Sequence, residues 1–193
     1  MVIELKEISI KEIDEYLKVP ITLEIHRVLE VKLEDDGLKG IQLVEKELEE
    51  SYIKDNDDDS DIEVLKDKFD TTNWGFFIAS MEDENVGGVI IAYDTPGINM
   101  LSGRDDLAVV WDIRVHPKHR GIGIGHMLFQ KAVDWSKERD CKLLKVETQN
   151  INVPACNFYV KEGCELGCID RYAYSGDERL SHETMLIWYL ELQ

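Results

Sequence analysis

Residues 115–125 read "VHPKHRGIGIG", and this stretch decides the predicted fold. The segment before it, "LAVVWDIRV" (107–115), alternates with the period of a strand, which Pro117 ends. The segment after it, from Ile122 to about Arg139, carries its apolar residues on one helical stripe. Three glycines therefore open a helix just after a strand. Because the first amides of a helix have no intrahelical partner and glycine lets a ligand approach the backbone, the stretch predicts an anion-binding turn.

A local reversal of charge supports this prediction. The chain has 40 Asp and Glu against 22 Lys and Arg, a net charge of −18, yet residues 113–133 contain four Lys and Arg and no acid. The spelling excludes two nucleotide motifs, because the chain has no GK[ST] and the third glycine of "GIGIGH" comes one residue early for GxGxxG. Tight packing of the strand against the helix stays open as another reason for the glycines.

Length and composition predict one soluble domain of 193 residues with 44% hydrophobic residues. We expect the cytoplasm, because neither a signal peptide nor a membrane span is recognisable and the cysteines lack a CxxC pair, which favours free thiols. The cysteines are Cys141, Cys156, Cys164 and Cys168. The acidic charge argues against nucleic acid and anionic membranes as partners and favours a cationic small molecule.

The order of elements predicts an α/β protein. Two apolar stretches on either side of Asp36-Gly37 predict a strand pair. The acidic segment from Glu47 to Glu63 is interpreted as a solvated loop, since Ser60 and Lys66 do not fit a calcium loop that begins at Asp55. After Asp70 the patterns follow the order β-β-β-α-β-α-β-β. We therefore predict a single domain over 1–193, with a regular core in 71–193 and a less regular, acceptor-side region in 1–70.

The glycine turn resembles the acetyl-CoA-binding motif of the GNAT superfamily of N-acetyltransferases, [Q/R]-x-x-G-x-[G/A] after a strand. Arg120, Gly123 and Gly125 occupy its defining positions. A second stretch, "NINVPACNFYVKEGC", is similar to the helix N-x-x-A-x-x-x-Y-x-K-x-G-F of that family, with Cys164 in place of Phe. Within the superfamily the sequence looks most like the streptothricin acetyltransferases. The resemblance implies a GNAT fold: a mixed, mostly antiparallel central sheet with flanking helices and a splayed strand pair.

The resemblance also implies acetyl-CoA as co-substrate and no metal. The free backbone groups of the splayed strand would bond the pantetheine arm, and the amides of the glycine turn would bind the pyrophosphate. Asn152 would contact the pantetheine or cysteamine end, or would simply cap its helix. The cofactor-binding candidates are Ile113, Arg114, Val115, Arg120, Gly121, Ile122, Gly123, Ile124, Gly125 and Asn152.

Amine acetylation requires a base for the ammonium proton and an acid for the leaving thiolate. The resemblance implies Tyr159 as the acid, with a purely structural core tyrosine as the alternative. Asp112 and Glu147 are the candidate bases, and either one could instead be held by Arg114 or by backbone donors. A further set of aromatic and acidic residues, Trp74, Tyr93 and Asp94, is expected to line a pocket for a cationic acceptor.

The implied function is transfer of an acetyl group to a primary amine of a cationic small molecule. The resemblance points to streptothricin and hence to antibiotic resistance. A polyamine or a protein amino group remains open as acceptor, and so does a module that binds acyl-CoA as a sensor without turnover. The superfamily often dimerises, which leaves a homodimer open.

Overall fold

The computed structural model describes residues 2–55 and 62–193, apart from the side chains of residues 63 and 66. Within these ranges the elements follow one another as β1 (Glu4–Glu7), α1 (Ile13–Leu17), β2 (Thr22–Glu34), β3 (Gly40–Asp55), α2 (Leu65–Lys68), β4 (Gly75–Met81), β5 (Glu84–Tyr93), β6 (Leu107–Val115), α3 (Ile124–Lys137), β7 (Leu143–Gln149), α4 (Val153–Lys161), β8 (Glu165–Asp170) and β9 (Met185–Glu191). The predicted order after Asp70 is confirmed.

The chain divides into two compact units that interleave along the sequence. The first consists of Met1–Thr22, Asp55–Val146 and Tyr189–Gln193, and the second of Leu23–Lys54 and Glu147–Trp188. Strands β7 and β9 each contribute residues to both units. The division near residue 70 into an acceptor-side region and a cofactor-binding core stays a prediction.

The sheet of the first unit has the strand order β1-β4-β5-β6-β7-β9. The pairs β1–β4, β4–β5 and β5–β6 are antiparallel, whereas β6 and β7 are parallel. Glu82 and Asp83 take positive φ values of 50° and 66° in the short turn between β4 and β5. The predicted mixed, mostly antiparallel sheet is confirmed.

Strand β6 lies between β5 and β7, and this position decides its burial. Its bounds match the prediction, but the expected alternation of two distinct faces is wrong for its first half, because Leu107–Val110 are all buried. Helix α3 packs on β4, β5 and β6. Val109 belongs to a buried apolar cluster of this unit, against which the partly buried Trp111 packs. The parallel pairing with β7 ends at Val110 and Val146, so that β6 continues to Val115 beyond the paired register.

In the second unit, β2 and β3 form a two-stranded sheet. Asp35, Asp36 and Gly37 join them with positive φ, which confirms the strand pair predicted around Asp36-Gly37. The interpretation of the acidic segment as a loop is wrong for residues 47–55, which belong to β3. Residues 56–61 of that segment lie outside the described residues, and with them half of the rejected calcium loop, which the structure therefore does not test. The remaining strands of this unit have the order β7-β9-β8.

Of the helices in the described ranges, none combines the length and the apolar composition that a bilayer crossing requires. All four cysteines are free thiols. Burial raises the pKa of Cys141 to about 11 and the pKa values of Cys156 and Cys164 to about 12. These three thiols are therefore protonated and weakly nucleophilic near neutral pH.

Candidate active site

The glycine turn between β6 and α3 presents open backbone. Gly121 and Gly123 have φ values of +80° and +95°, which favour glycine strongly. Gly123 is the N-cap of α3, and its carbonyl accepts the first helical bond, 3.0 Å from the Met127 amide. A β-carbon built at Gly121 or Gly123 would meet no atom within 4 Å. The space in front of the turn is therefore free for a ligand that comes close to the helix amides.

Arg120 holds this turn in shape. Its guanidinium donates to the carbonyl of Val115 at 3.1 Å and to the carbonyl of Thr22 at 2.8 Å. The His116 side chain accepts a bond from the Lys118 amide at 3.2 Å, which orders the preceding 3₁₀ turn. With positive side chains around it and the positive end of the α3 dipole behind it, this turn fits a diphosphate.

Arg114 does not add its side-chain charge to the turn. It is only 1% exposed, and its guanidinium donates to both carboxylate oxygens of Asp112, at 2.8 and 3.1 Å, and to the carbonyl of Val19 at 3.0 Å. The hydroxyl of Tyr16 also donates to Asp112. Asp112 is thus paired with Arg114, and this pairing counters the electrostatic cost of burying either charge. Its role as a base stays a prediction.

The ring of Tyr16 completes this buried group. The Arg114 guanidinium lies 4.9 Å from the centre of the ring, and the same ring fills the space where a β-carbon of Gly88 would be, only 2.4 Å away. Burial is the largest cause that raises the pKa of Tyr16, and the Asp112 charge adds to it. Tyr16 therefore keeps its proton and stabilises the Asp112 carboxylate as a hydrogen-bond donor.

In the second unit, Glu147 lies two residues before the end of β7 and accepts a hydrogen bond of 2.7 Å from the Tyr174 hydroxyl. The same hydroxyl accepts a bond of 3.2 Å from the Gln149 side chain. Burial, followed by the charge of Glu147, raises the pKa of Tyr174. The phenol is therefore neutral and directs its proton toward the carboxylate.

Asn152 and Tyr159 also lie in the second unit. The side-chain oxygen of Asn152 caps α4 by accepting a bond of 3.1 Å from the Ala155 amide. Tyr159 is 4% exposed, and its ring lies 5.4 Å from that of Phe158 and 6.5 Å from that of Trp188. Both residues have a structural role, and their roles toward a cofactor stay predictions.

The structure does not place Trp74 and Tyr93 in one pocket. Trp74 is buried among aromatic rings, 5.2 Å from the centre of Trp111, and donates from its indole to Thr95 at 2.9 Å. Tyr93 packs instead on Trp135 of α3, edge to face at 6.2 Å. Asp94 is exposed. The expected acceptor pocket of these residues gains no geometric support.

Several polar residues of these sites carry no recognisable signal in the sequence. Tyr16 is 96 positions from its partner Asp112, and Tyr174 is 27 positions from Glu147. Tyr174 also lies in an irregular segment without periodicity. Among the residues that the structure describes, no three His, Cys, Asp or Glu side chains form a group that could hold a metal ion.

A mixed sheet with a glycine turn that opens a helix after its central strand defines an α/β protein built to bind a phosphate-bearing ligand at that turn. The model of the acetyltransferase (GNAT) family matches residues 41–164. The chain belongs to this family, and it is accordingly an N-acetyltransferase whose acetyl donor is acetyl-CoA.

Two curated relatives of this chain are named as streptothricin acetyltransferases. The chain is 33% identical over 165 residues to the streptothricin acetyltransferase of Escherichia coli, covering 86% of this chain and 83% of the relative. It is 30% identical over 146 residues to streptothricin acetyltransferase A of Bacillus subtilis (strain 168), covering 75% and 76%.

Solved structures share the fold. Nourseothricin acetyltransferase superposes with a TM-score of 0.79 at 22% identity, covering 100% of both chains. A Bacillus anthracis str. Ames protein in complex with acetyl coenzyme A superposes with a TM-score of 0.78 at 24% identity, covering 100% of this chain and 99% of that one.

Proposed function

We propose that this enzyme acetylates a primary amine of a cationic small molecule and that the molecule is streptothricin, so that the reaction confers antibiotic resistance. The names of the two relatives support this substrate. The net charge of −18 supports it independently, because an acidic protein raises the local concentration of a multiply charged cation. The cytoplasm remains the proposed location and a homodimer the proposed assembly.

The glycine turn is the observation that carries the proposal. When bound, acetyl-CoA supplies the acetyl group as a thioester, and its diphosphate suits the open backbone from Arg120 to Gly125. The backbone of Ile113–Val115 extends beyond the paired register with β7, and we assign it to the pantetheine arm. This arrangement uses main-chain donors, which are pre-oriented and cost little reorganisation.

Of the two candidate bases, the contacts favour Glu147. Both oxygens of Asp112 are engaged by Arg114, and Tyr16 adds a third bond, so we assign Asp112 to the structure of β6. Glu147 is half-buried and oriented by Tyr174. In our proposal Glu147 holds the ammonium of the acceptor and accepts its proton, which makes the amine nucleophilic.

On the resemblance to the family, we propose that Tyr159 is the acid. On the same ground we propose that Asn152 contacts the cysteamine end of acetyl-CoA. A phenol has an ordinary pKa near 10, which suits proton donation to a departing thiolate. We expect Tyr159→Phe to lower kcat by about tenfold to a thousandfold with an unchanged Kd for acetyl-CoA. Phe fills nearly the same volume, so an unchanged melting temperature separates this effect from a packing defect.

The substrate is tested by incubating the enzyme with acetyl-CoA and streptothricin while free thiol is measured. Release of one thiol per acetylated streptothricin, identified by mass spectrometry, is the expected result. Acetyl-CoA binding without thiol release would refute this acceptor. Spermidine and a lysine-containing peptide, assayed in parallel, would then identify a polyamine or a protein amino group as the acceptor class.

A further inference from the structure

Glu183 is a buried carboxylate in the second unit with one engaged oxygen. It is 3% exposed. Its Oε1 accepts a bond of 2.5 Å from the Lys54 ammonium, whereas its Oε2 is buried and has no hydrogen-bond partner among residues 2–55 and 62–193. A buried carboxylate oxygen without a donor is costly, and such groups in native proteins call for a functional explanation.

The neighbouring side chains do not supply the missing donor. The Tyr174 hydroxyl gives its one proton to Glu147, and its raised pKa keeps it neutral. The His182 ring nitrogen lies 4.0 Å from Oε1, which is too far for a hydrogen bond, and this side chain is 60% exposed. Within residues 2–55 and 62–193, the Oε2 atom therefore remains an acceptor without a donor.

Glu183 is also held firmly in place. Its amide donates to the Leu180 carbonyl at 2.8 Å. The next residue, Thr184, exchanges bonds of 2.8 and 3.0 Å with the side chain and the amide of the buried Asn150. Asn150 in turn bonds the carbonyl of Leu29 at 2.9 Å. The position of Glu183 is thus fixed by β2 and by the end of β7.

Two carboxylates of the second unit, Glu147 and Glu183, act on Tyr174. Burial is the largest cause that raises the pKa values of Tyr174 and Tyr52; the charges of Glu147 and Glu183 add to it at Tyr174, and the charge of Glu183 adds to it at Tyr52. Lys54 is the cation that pairs with Glu183, and its side chain is 12% exposed. Two carboxylates thus act on one phenol, in surroundings where Coulomb interactions are stronger than in water.

We propose that the Oε2 atom of Glu183 binds a second ammonium group of the acceptor, so that Glu183 makes the enzyme select amines that carry at least two positive charges. The inference rests on the proposed function, in which Glu147 handles the reacting amine. An ammonium group supplies a charged donor for the Oε2 atom. Lys54 competes with this ammonium for the same carboxylate.

The competition predicts opposite effects for two substitutions. We expect Glu183→Gln to raise the Kd for streptothricin about tenfold or more, because the carboxylate charge is lost. Lys54→Gln should leave the Kd unchanged or lower it, because a competing cation is removed. Glu178→Gln, at an exposed position in the same loop, changes the net charge as Glu183→Gln does and should alter the Kd less than about twofold.

Calorimetric titration of each variant with streptothricin and with spermidine, and with butylamine as a single-charge probe, gives these constants. Equal weakening by Glu183→Gln and Lys54→Gln would show a purely structural ion pair and overturn the inference. Wild-type protein that binds neither polycation, or binds butylamine equally well, would overturn it too. If Glu183→Gln does not fold, the sign of the Lys54→Gln effect decides.

Thiol release separates this inference from the proposed function. Turnover of streptothricin with no effect of Glu183→Gln on its Kd would refute the cation site alone. Binding of spermidine that depends on Glu183, without any acetylation of streptothricin, would refute the proposed substrate and keep the cation site.

Discussion

The hydroxyl of Tyr174 donates a hydrogen bond of 2.7 Å to the carboxylate of Glu147. This bond orients the carboxylate that we propose as the base, while Gln149 fixes the phenol from its other side. Tyr174 is itself half-buried. The proposed base is therefore oriented by a neutral donor whose proton points toward the carboxylate.

Removal of this donor tests the positioning of Glu147. We expect Tyr174→Phe to lower kcat about tenfold, and Glu147→Gln to lower it about a hundredfold or more because the base itself is lost. Acetyl-CoA binding should be unchanged in both variants. Steady-state kinetics and calorimetry check this prediction. Full activity of Glu147→Gln would exclude this residue as the base and return Asp112 as the candidate.

The glycine turn can be tested with a matched pair of substitutions. Gly123 and Gly97 have similar φ values, +95° and +84°, and an added β-carbon meets nothing within 4 Å at either position. Alanine should therefore cost about 1–2 kcal/mol of stability at both sites. Only Gly123→Ala should weaken coenzyme A binding, by about tenfold or more, since its methyl group enters the space in front of the α3 amides.

Calorimetry gives the Kd of each variant for coenzyme A, and thermal unfolding gives its stability. Wild-type affinity in Gly123→Ala, alongside the expected loss of stability, would place the diphosphate elsewhere. Weakened binding in Gly97→Ala would show that the effect comes from general destabilisation.

The buried pair of Arg114 and Asp112 should contribute far more to stability than an exposed pair of the same form. Asp112→Asn leaves the Arg114 charge buried with a weaker partner, which we expect to cost about 3–5 kcal/mol. The control is Asp106→Asn, because Asp106 binds Arg104 through the same two nitrogens, at 2.7 and 2.8 Å, on the surface. The control should lose little, since solvent screens that pair.

Urea unfolding of both variants measures these losses as shifts of the midpoint at constant slope. Similar shifts for Asp112→Asn and Asp106→Asn would contradict the stabilising role of the buried pair.

Thiol reactivity should distinguish the exposed cysteine from the buried ones. Cys168 is exposed, whereas the other three are buried and two of them, Cys156 and Cys164, have pKa values raised to about 12. Near pH 8 we expect one thiol per chain to react quickly with dithionitrobenzoate and four to react in guanidinium. More than one fast thiol in the native protein would contradict the burial of these side chains.

The same raised pKa values predict a loss of stability in alkali. Folding keeps these thiols protonated above their ordinary pKa of 9.0, so their contribution to stability is full below about pH 9. It falls as the pH rises from there toward 12, because the unfolded chain releases protons that the folded chain retains. Unfolding measured at increasing pH checks the sign.

Local sequence patterns predict the helices and strands whose bounds depend on neighbouring residues. Helix α3 was expected from Ile122 to about Arg139 and spans Ile124–Lys137, and the bounds of β6 agree with its pattern and with Pro117. The short elements β1 and α1 were not predicted. Strand β1 has four residues, none of them buried, so its pairing with β4 rather than its own periodicity defines it.

The sequence by itself determined the strand, the glycine turn and the helix, and with them the family, because backbone conformation and helix amides act between near neighbours. Only the tertiary structure decided that Arg114 is buried against Asp112 rather than facing the turn. It also decided that Tyr174 meets Glu147 and that, in the described part of the chain, one oxygen of Glu183 has no donor. These relationships depend on side chains brought together over 27 to 129 positions of sequence or buried by neighbouring strands. Hydrogen bonds and burial at such separations leave no local spacing from which they could be predicted.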